Sequence, residues 1–153
     1  MKNWFYLMGM LLLAVIAGGC SSDDEYVEPQ LDVTPHNLSG TWQLESWQNG
    51  KQLAEGAYVY VEFIRKDALF KIYQNTDSFQ PRLATGRFSI EVEPELGAVV
   101  RGMYDYDGGG LNHGYIVKSL TANRLIWVAE DDAEAVSVYV RADIPQEVLD
   151  AVQ

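Results

Sequence analysis

Cys20 is the single cysteine of a 153-residue chain. It follows three small residues, Ala17, Gly18 and Gly19. A lone thiol cannot close an intramolecular disulfide, and left free in an oxidising compartment it is a liability. From its residue type alone it reads either as an acceptor for a covalent group or as an incidental free thiol of a soluble secreted protein. His36 and His113 are the only histidines. No cysteine or further histidine stands near either, so no transition-metal site is expected. The run from Asp105 to His113, DYDGGGLNH, offers oxygens from Asp105, Asp107 and Asn112 that suit calcium. A third spaced oxygen ligand and a following bidentate Glu are missing, so the pattern is not an EF-hand. Left-handed turn geometry explains the glycines without a metal. Both readings of loop 105–114 stay open from sequence. The pairs Glu91/Glu93 and Asp131/Asp132 read as solvated strand ends and turns. No nucleophile elbow, phosphate loop or zinc-protease motif occurs. The expectation is a protein that binds without catalysing, with no cofactor and no resident metal.

The segment before Cys20 says where this chemistry takes place. Lys2 gives a positive start and Phe5 to Ile16 is almost unbroken apolar sequence. That run is too short for a comfortable transmembrane span and reads as a secretory signal over residues 1–19. Small residues ending in Cys resemble the lipobox of bacterial lipoproteins. The resemblance implies cleavage before Cys20 and thioether lipidation of its sulfur, with acyl chains such as palmitate holding the protein to a membrane. Each buried CH₂ is worth about 0.8 kcal/mol, and more than one chain gives stable anchoring.

Removing residues 1–19 leaves 134 residues, enough for one domain with a real core. It takes away Lys2 and no acid, which moves the formal net charge from −11 to −12. Such a surface repels nucleic acid and anionic headgroups, so no nucleic-acid partner is expected. Residues 20–37 are acidic, carry Pro29 and Pro35, and read as a tether. Ser21, Asp23, Asp24 and Glu25 resemble the acidic export signal behind the lipidated Cys of Bacteroidota surface lipoproteins. That implies an outer-membrane protein at the cell surface, with the periplasmic face as the alternative.

Residues 38–153 form the folded unit. Hydrophobicity there alternates with period two, the strand signature. The expected strands are 40–47, 58–65, 69–74, 83–92, 98–104, 115–120, 125–129 and 135–141. Val59, Val61 and Phe63 share one face, as do Gly86, Phe88, Ile90 and Val92. Asn49-Gly50 is a tight-turn signal, and Asn123 suits a left-handed turn position. Asp143, with Gln146 three residues on, suggests a capped C-terminal helix whose sticky side is Val148, Leu149 and Val152. Connections between the strands are too short for parallel crossovers. Eight antiparallel strands in just over 100 residues leave two edges unless the sheet closes. The expected fold is all-β, an up-and-down barrel with a short C-terminal helix. Its interior is either filled by side chains or holds one small ligand.

Leu38-Ser39-Gly40-Thr41-Trp42 at the first strand resembles the Gly-x-Trp opening of lipocalins and the wider calycin group, and most of all the short lipocalin-like domains of Bacteroidota lipoproteins. In that group the Trp closes one end of the barrel and an Arg from the last strand lies across its indole. The resemblance implies that role for Trp42 and Arg141. The chain departs from full-length lipocalins in having no disulfide, shorter loops and no long helix beside the barrel.

The inward-facing residues Leu44, Val61, Phe63, Phe70, Phe88 and Trp127 are the candidate lining for a small, mostly apolar ligand. A second group, Tyr58, Tyr60, Tyr73, Tyr104, Tyr106 and Tyr115, falls out of phase or near loop mouths. Those tyrosines suit the alternative function, an accessory module that binds an envelope protein or glycan by stacking and hydroxyl contacts.

Overall fold

The computed structural model describes residues 27–76, 79–111 and 113–153. Cys20 and the acidic run 21–25 lie outside the described residues, as does Asn112. Eight strands follow in order: β1 (Gly40–Ser46), β2 (Val59–Ile64), β3 (Leu69–Gln74), β4 (Arg82–Glu93), β5 (Gly97–Tyr104), β6 (Tyr115–Leu120), β7 (Arg124–Ala129) and β8 (Asp132–Arg141). Each pairs antiparallel with its neighbours, and β1 pairs with β8 to close the barrel. Closure leaves neither β1 nor β8 as an open edge strand. β3 and β6 have the bounds read from sequence; the other strands differ at one or both ends by up to three residues, most at β8, whose preceding turn is shorter than the acidic run 130–134 suggested.

The period-two pattern divides inside from outside. Val59, Val61, Phe63, Phe70, Phe88, Val100 and Trp127 point into one continuous core. Their outward neighbours Tyr60 and Tyr73 are buried too, under a short helix α2 (Gln146–Asp150) that lays Val148 and Leu149 against the barrel wall. These tyrosines are therefore not a solvent-facing binding surface, which corrects that part of the sequence reading. The sticky side of α2 is as expected, but its start is not. Pro145 occupies the N-cap position and no side chain caps the helix. The residue before a proline is held out of helical geometry, so Ile144 cannot belong to the helix and Asp143 stands too early to cap it.

β4 and β5 run past the rest of the sheet as a two-stranded ribbon, with pairing down to Glu93 and Gly97. Val92, in phase with the core by sequence, is therefore 81% exposed on the ribbon. Asn123 keeps negative φ in the β6–β7 turn. Its side-chain amide donates to Glu28 at 2.6 Å, and the Thr121 hydroxyl accepts from Arg124 N–H at 3.0 Å, which closes the turn without a left-handed residue.

The described part of the expected tether is packed structure. Leu31 N–H donates to the Leu120 carbonyl at 2.8 Å, and the Ser119 hydroxyl donates to Gln30 at 3.0 Å. Leu31 and Val33 reach the core. A one-turn helix, α1 (Pro35–Leu38), begins with proline in its first turn, and Thr34 Oγ1 accepts from Asn37 N–H at 3.2 Å. The domain thus begins well before residue 38.

Candidate functional site

The two ends of the barrel differ. At one end Leu38, Trp42, Leu120 and Leu125 are all within 1% of complete burial. Trp42 Nε1–H donates to the Leu38 carbonyl at 2.9 Å, which satisfies the indole without water. The guanidinium carbon of Arg141 lies 3.6 Å from the Trp42 ring centroid. Its three nitrogens donate to the carbonyls of Ser39 (2.6 Å), Asn37 (2.9 Å) and Ala122 (3.1 Å). One side chain therefore ties β8, the N-terminal segment and the β6–β7 turn together. Burial lowers its pKa from the usual arginine value. Gly40 has φ +114°, and a Cβ there would collide with the Arg141 guanidinium. The glycine of Gly-x-Trp is thus the space in which the arginine lies.

The opposite end is open. A cavity of about 360 Å³ enters the barrel between the starts of β2, β4 and β6 and the ends of β3, β5 and β7. Four of the six residues chosen from sequence line it: Val61, Phe63, Phe70 and Trp127. Leu44 does not. It faces a neighbouring hollow of about 390 Å³ with Trp47 and Leu53, beneath the β1–β2 connection. Phe88 stands behind the wall, edge-on to Phe63 with ring centroids 5.1 Å apart. The interior is thus solid at the Trp42 end and hollow at the mouth.

Sequence reasoning left out Val59, Ile72, Gln74, Arg82, Leu111 and Tyr139 from this wall. Most were within reach of the same rule. Phe70 inward puts Ile72 and Gln74 inward, Val61 inward puts Val59 inward, and Arg141 over Trp42 puts Tyr139 two residues back on the same face. Tyr104 and Tyr115, placed among surface tyrosines, also line the cavity. Tyr115 stacks on Trp127 at 4.6 Å and Tyr139 meets the same indole edge-on at 5.1 Å. Tyr106 is the one member of that group left open, at 72% exposure.

The glycine-rich loop borders the mouth. Leu111 N–H donates to the Gly102 carbonyl at 2.8 Å and folds the loop back on β5. The acidic side chains are used in its turns: the Thr85 hydroxyl donates to Asp105 at 2.8 Å, and Gly109 N–H donates to Asp107 at 2.8 Å. Among the described residues no three metal-ligating side chains come together. His113 Nδ1 lies 2.5 Å from Asp131, joining the loop to the β7–β8 turn, and His36 lies 3.3 Å from Arg65 at the far end of the molecule. On the outer wall Arg101 holds Glu91, Glu93 and Glu130 at 2.6–2.9 Å. Of the carboxylate pairs noted in sequence, that cation fixes Glu91/Glu93, whereas Asp131 meets His113 and Asp132 accepts from Glu134 N–H.

With the closed barrel, the Trp42–Arg141 end and the open mouth established, similarity to known proteins can be placed. No family model matches the chain, and no curated protein is similar to it. A crystal structure of a lipocalin-like protein from Bacteroides uniformis ATCC 8492 superposes with a TM-score of 0.50 at 18% identity, over 69% of this chain and 99% of that one. The fold is lipocalin-like. At this identity the likeness concerns backbone architecture alone, so the lining of the lipocalin-like cavity has to be read from this chain's own residues.

Proposed function

We propose that this protein binds one small molecule in the open end of its barrel and acts as a binding protein, not an enzyme. The observation that carries this reading is the cavity of about 360 Å³ at the mouth, at the small end of the range typical for ligand sites. All but Leu111 of its lining residues stand on paired strands, so the pocket exists before any ligand arrives. An environment-sensitive apolar dye is expected to saturate at one site. Val61→Phe, which extends a side chain from β2 into the space, is expected to reduce that binding at least tenfold. Undiminished dye binding by a folded Val61→Phe protein would place the dye elsewhere and remove the basis for the reading.

The lipobox-like sequence supports a bacterial envelope location, with the barrel held to the outer membrane through lipid on Cys20. Cys20→Ala is expected to move the protein from the membrane pellet to the soluble fraction. A variant that still sediments with membranes and incorporates a palmitate analogue would overturn lipidation at this residue.

A further inference from the structure

The cavity has an unusual polar lining for so acidic a chain. The sequence carries 22 acidic residues against 11 basic ones. None of the twelve residues lining the cavity is acidic, and the one charged member, Arg82, is a cation. Gln74 lies on the same wall, one step across the β3–β4 pairing from Arg82.

Three phenols complete it. Tyr104, Tyr115 and Tyr139 line the same space, and their hydroxyls are not among the polar atoms buried without a partner in the described residues, which are Tyr58 Oη and Trp127 Nε1. All three have raised pKa values, first through burial. Tyr104 raises both Tyr115 and Tyr139, and Tyr115 raises Tyr139, so the three sense one another around one space. They therefore stay protonated at neutral pH and remain donors. Among the described residues of this wall, the Trp127 indole N–H is buried without an acceptor. The remaining surface is aromatic and aliphatic, with Phe63 and Phe70 foremost.

We propose that the cavity selects a compact aromatic ligand bearing an anionic oxygen acceptor, a carboxylate or sulfonate, which the tyrosine hydroxyls bind. This rests on the ligand-binding reading above and names the chemistry of the ligand. The ring system lies between the aromatic walls. The acceptor oxygens take the phenol hydrogens, bonds strengthened by the charge on the acceptor. The wall itself holds no carboxylate; Asp107 and Asp131 stand outside it, near Tyr104 and Tyr115.

The test compares two probes of nearly the same shape, sodium 1-naphthoate and 1-naphthylmethanol. Each is titrated calorimetrically into the full-length protein in non-ionic detergent at 0.15 M salt and corrected with a protein-free micelle blank. The naphthoate is expected to bind at least tenfold more tightly. The double variant Tyr115→Phe/Tyr139→Phe, which removes two hydroxyls and keeps both rings, should weaken naphthoate at least fivefold and leave naphthylmethanol within twofold. Gln74→Glu, a substitution near the mouth that demands no repacking, should weaken naphthoate alone. Equal affinity for the two probes would overturn the anion preference while leaving a binding cavity in place. A preference that survives both variants would overturn its assignment to these residues. Failure of both probes to bind, in a protein with intact β-sheet circular dichroism, would overturn the binding reading itself.

Discussion

Arg141→Ala is expected to lower the unfolding free energy by about 3 kcal/mol, well beyond a surface substitution. The side chain contributes three charge-assisted hydrogen bonds, to the carbonyls of Ser39, Asn37 and Ala122. It also lies 3.6 Å above the Trp42 ring. Bonds to a charged group are worth roughly 1.5–3 kcal/mol each when buried, and the cation–π contact about 0.5–2 kcal/mol. Water replaces part of the hydrogen bonding after truncation, because the Nε contact to Ala122 lies at the surface. The arginine stem also covers apolar surface that alanine leaves open. Arg141→Lys should recover less than half of the loss, since an ammonium cannot span three carbonyls from one plane. Urea denaturation with an unchanged m-value measures both variants. A loss below about 1 kcal/mol would mean that the barrel end is closed by Trp42 and its apolar neighbours alone.

Gly86→Ala is expected to cost about as much, by the opposite route. Gly86 sits in the middle of the sheet, paired with Phe70 on β3 and with Tyr104 on β5. A Cβ there would collide with the Met103 carbonyl, and it would stand 2.5 Å from the Phe70 ring. Neither obstacle yields easily. The carbonyl belongs to β5, held there by β4 on one side and by a bridge to Gly110 on the other, and Phe70 is 1% exposed. Overpacking of this kind costs roughly 1–3 kcal/mol or more, and a fall in melting temperature of about 10 °C follows for a domain of this size. Gly102 makes the control. Its Cβ would meet chiefly the Leu111 side chain, at 2.5 Å, on a loop that has room to shift. Gly102→Ala should lose about a third as much. Equal losses in the two variants would show that the Met103 carbonyl is not the deciding obstacle.

The strand order and the inward faces were legible because alternation is a local signal. Val59, Val61 and Phe63 needed no knowledge of their partners to be placed inside. The misplacements arose where the environment is set by residues far away in sequence. Tyr60 and Tyr73 face outward by phase, and only α2, some seventy to ninety positions later, covers them. Leu31 and Val33 stand in an acidic, proline-bearing stretch with no period to mark them. Their burial follows from a backbone bond to Leu120, which no short window contains. Phe88 has the right phase for the cavity but the wrong depth. Alternation says which side of a strand a residue faces and nothing about how far along the barrel the hollow extends. The polar members of the wall, Gln74, Arg82 and Tyr139, were missed for a related reason, since a search for apolar positions passes over the groups that discriminate among ligands.

The N-terminal segment meets the barrel at Glu28, Gln30 and Leu31, against the β6–β7 turn and therefore at the Trp42 end. Handle and mouth consequently occupy opposite poles of the molecule. The described chain therefore enters the domain at residue 27 behind the floor of the cup, and its contacts at Glu28, Gln30 and Leu31 leave the residues of the rim uncovered.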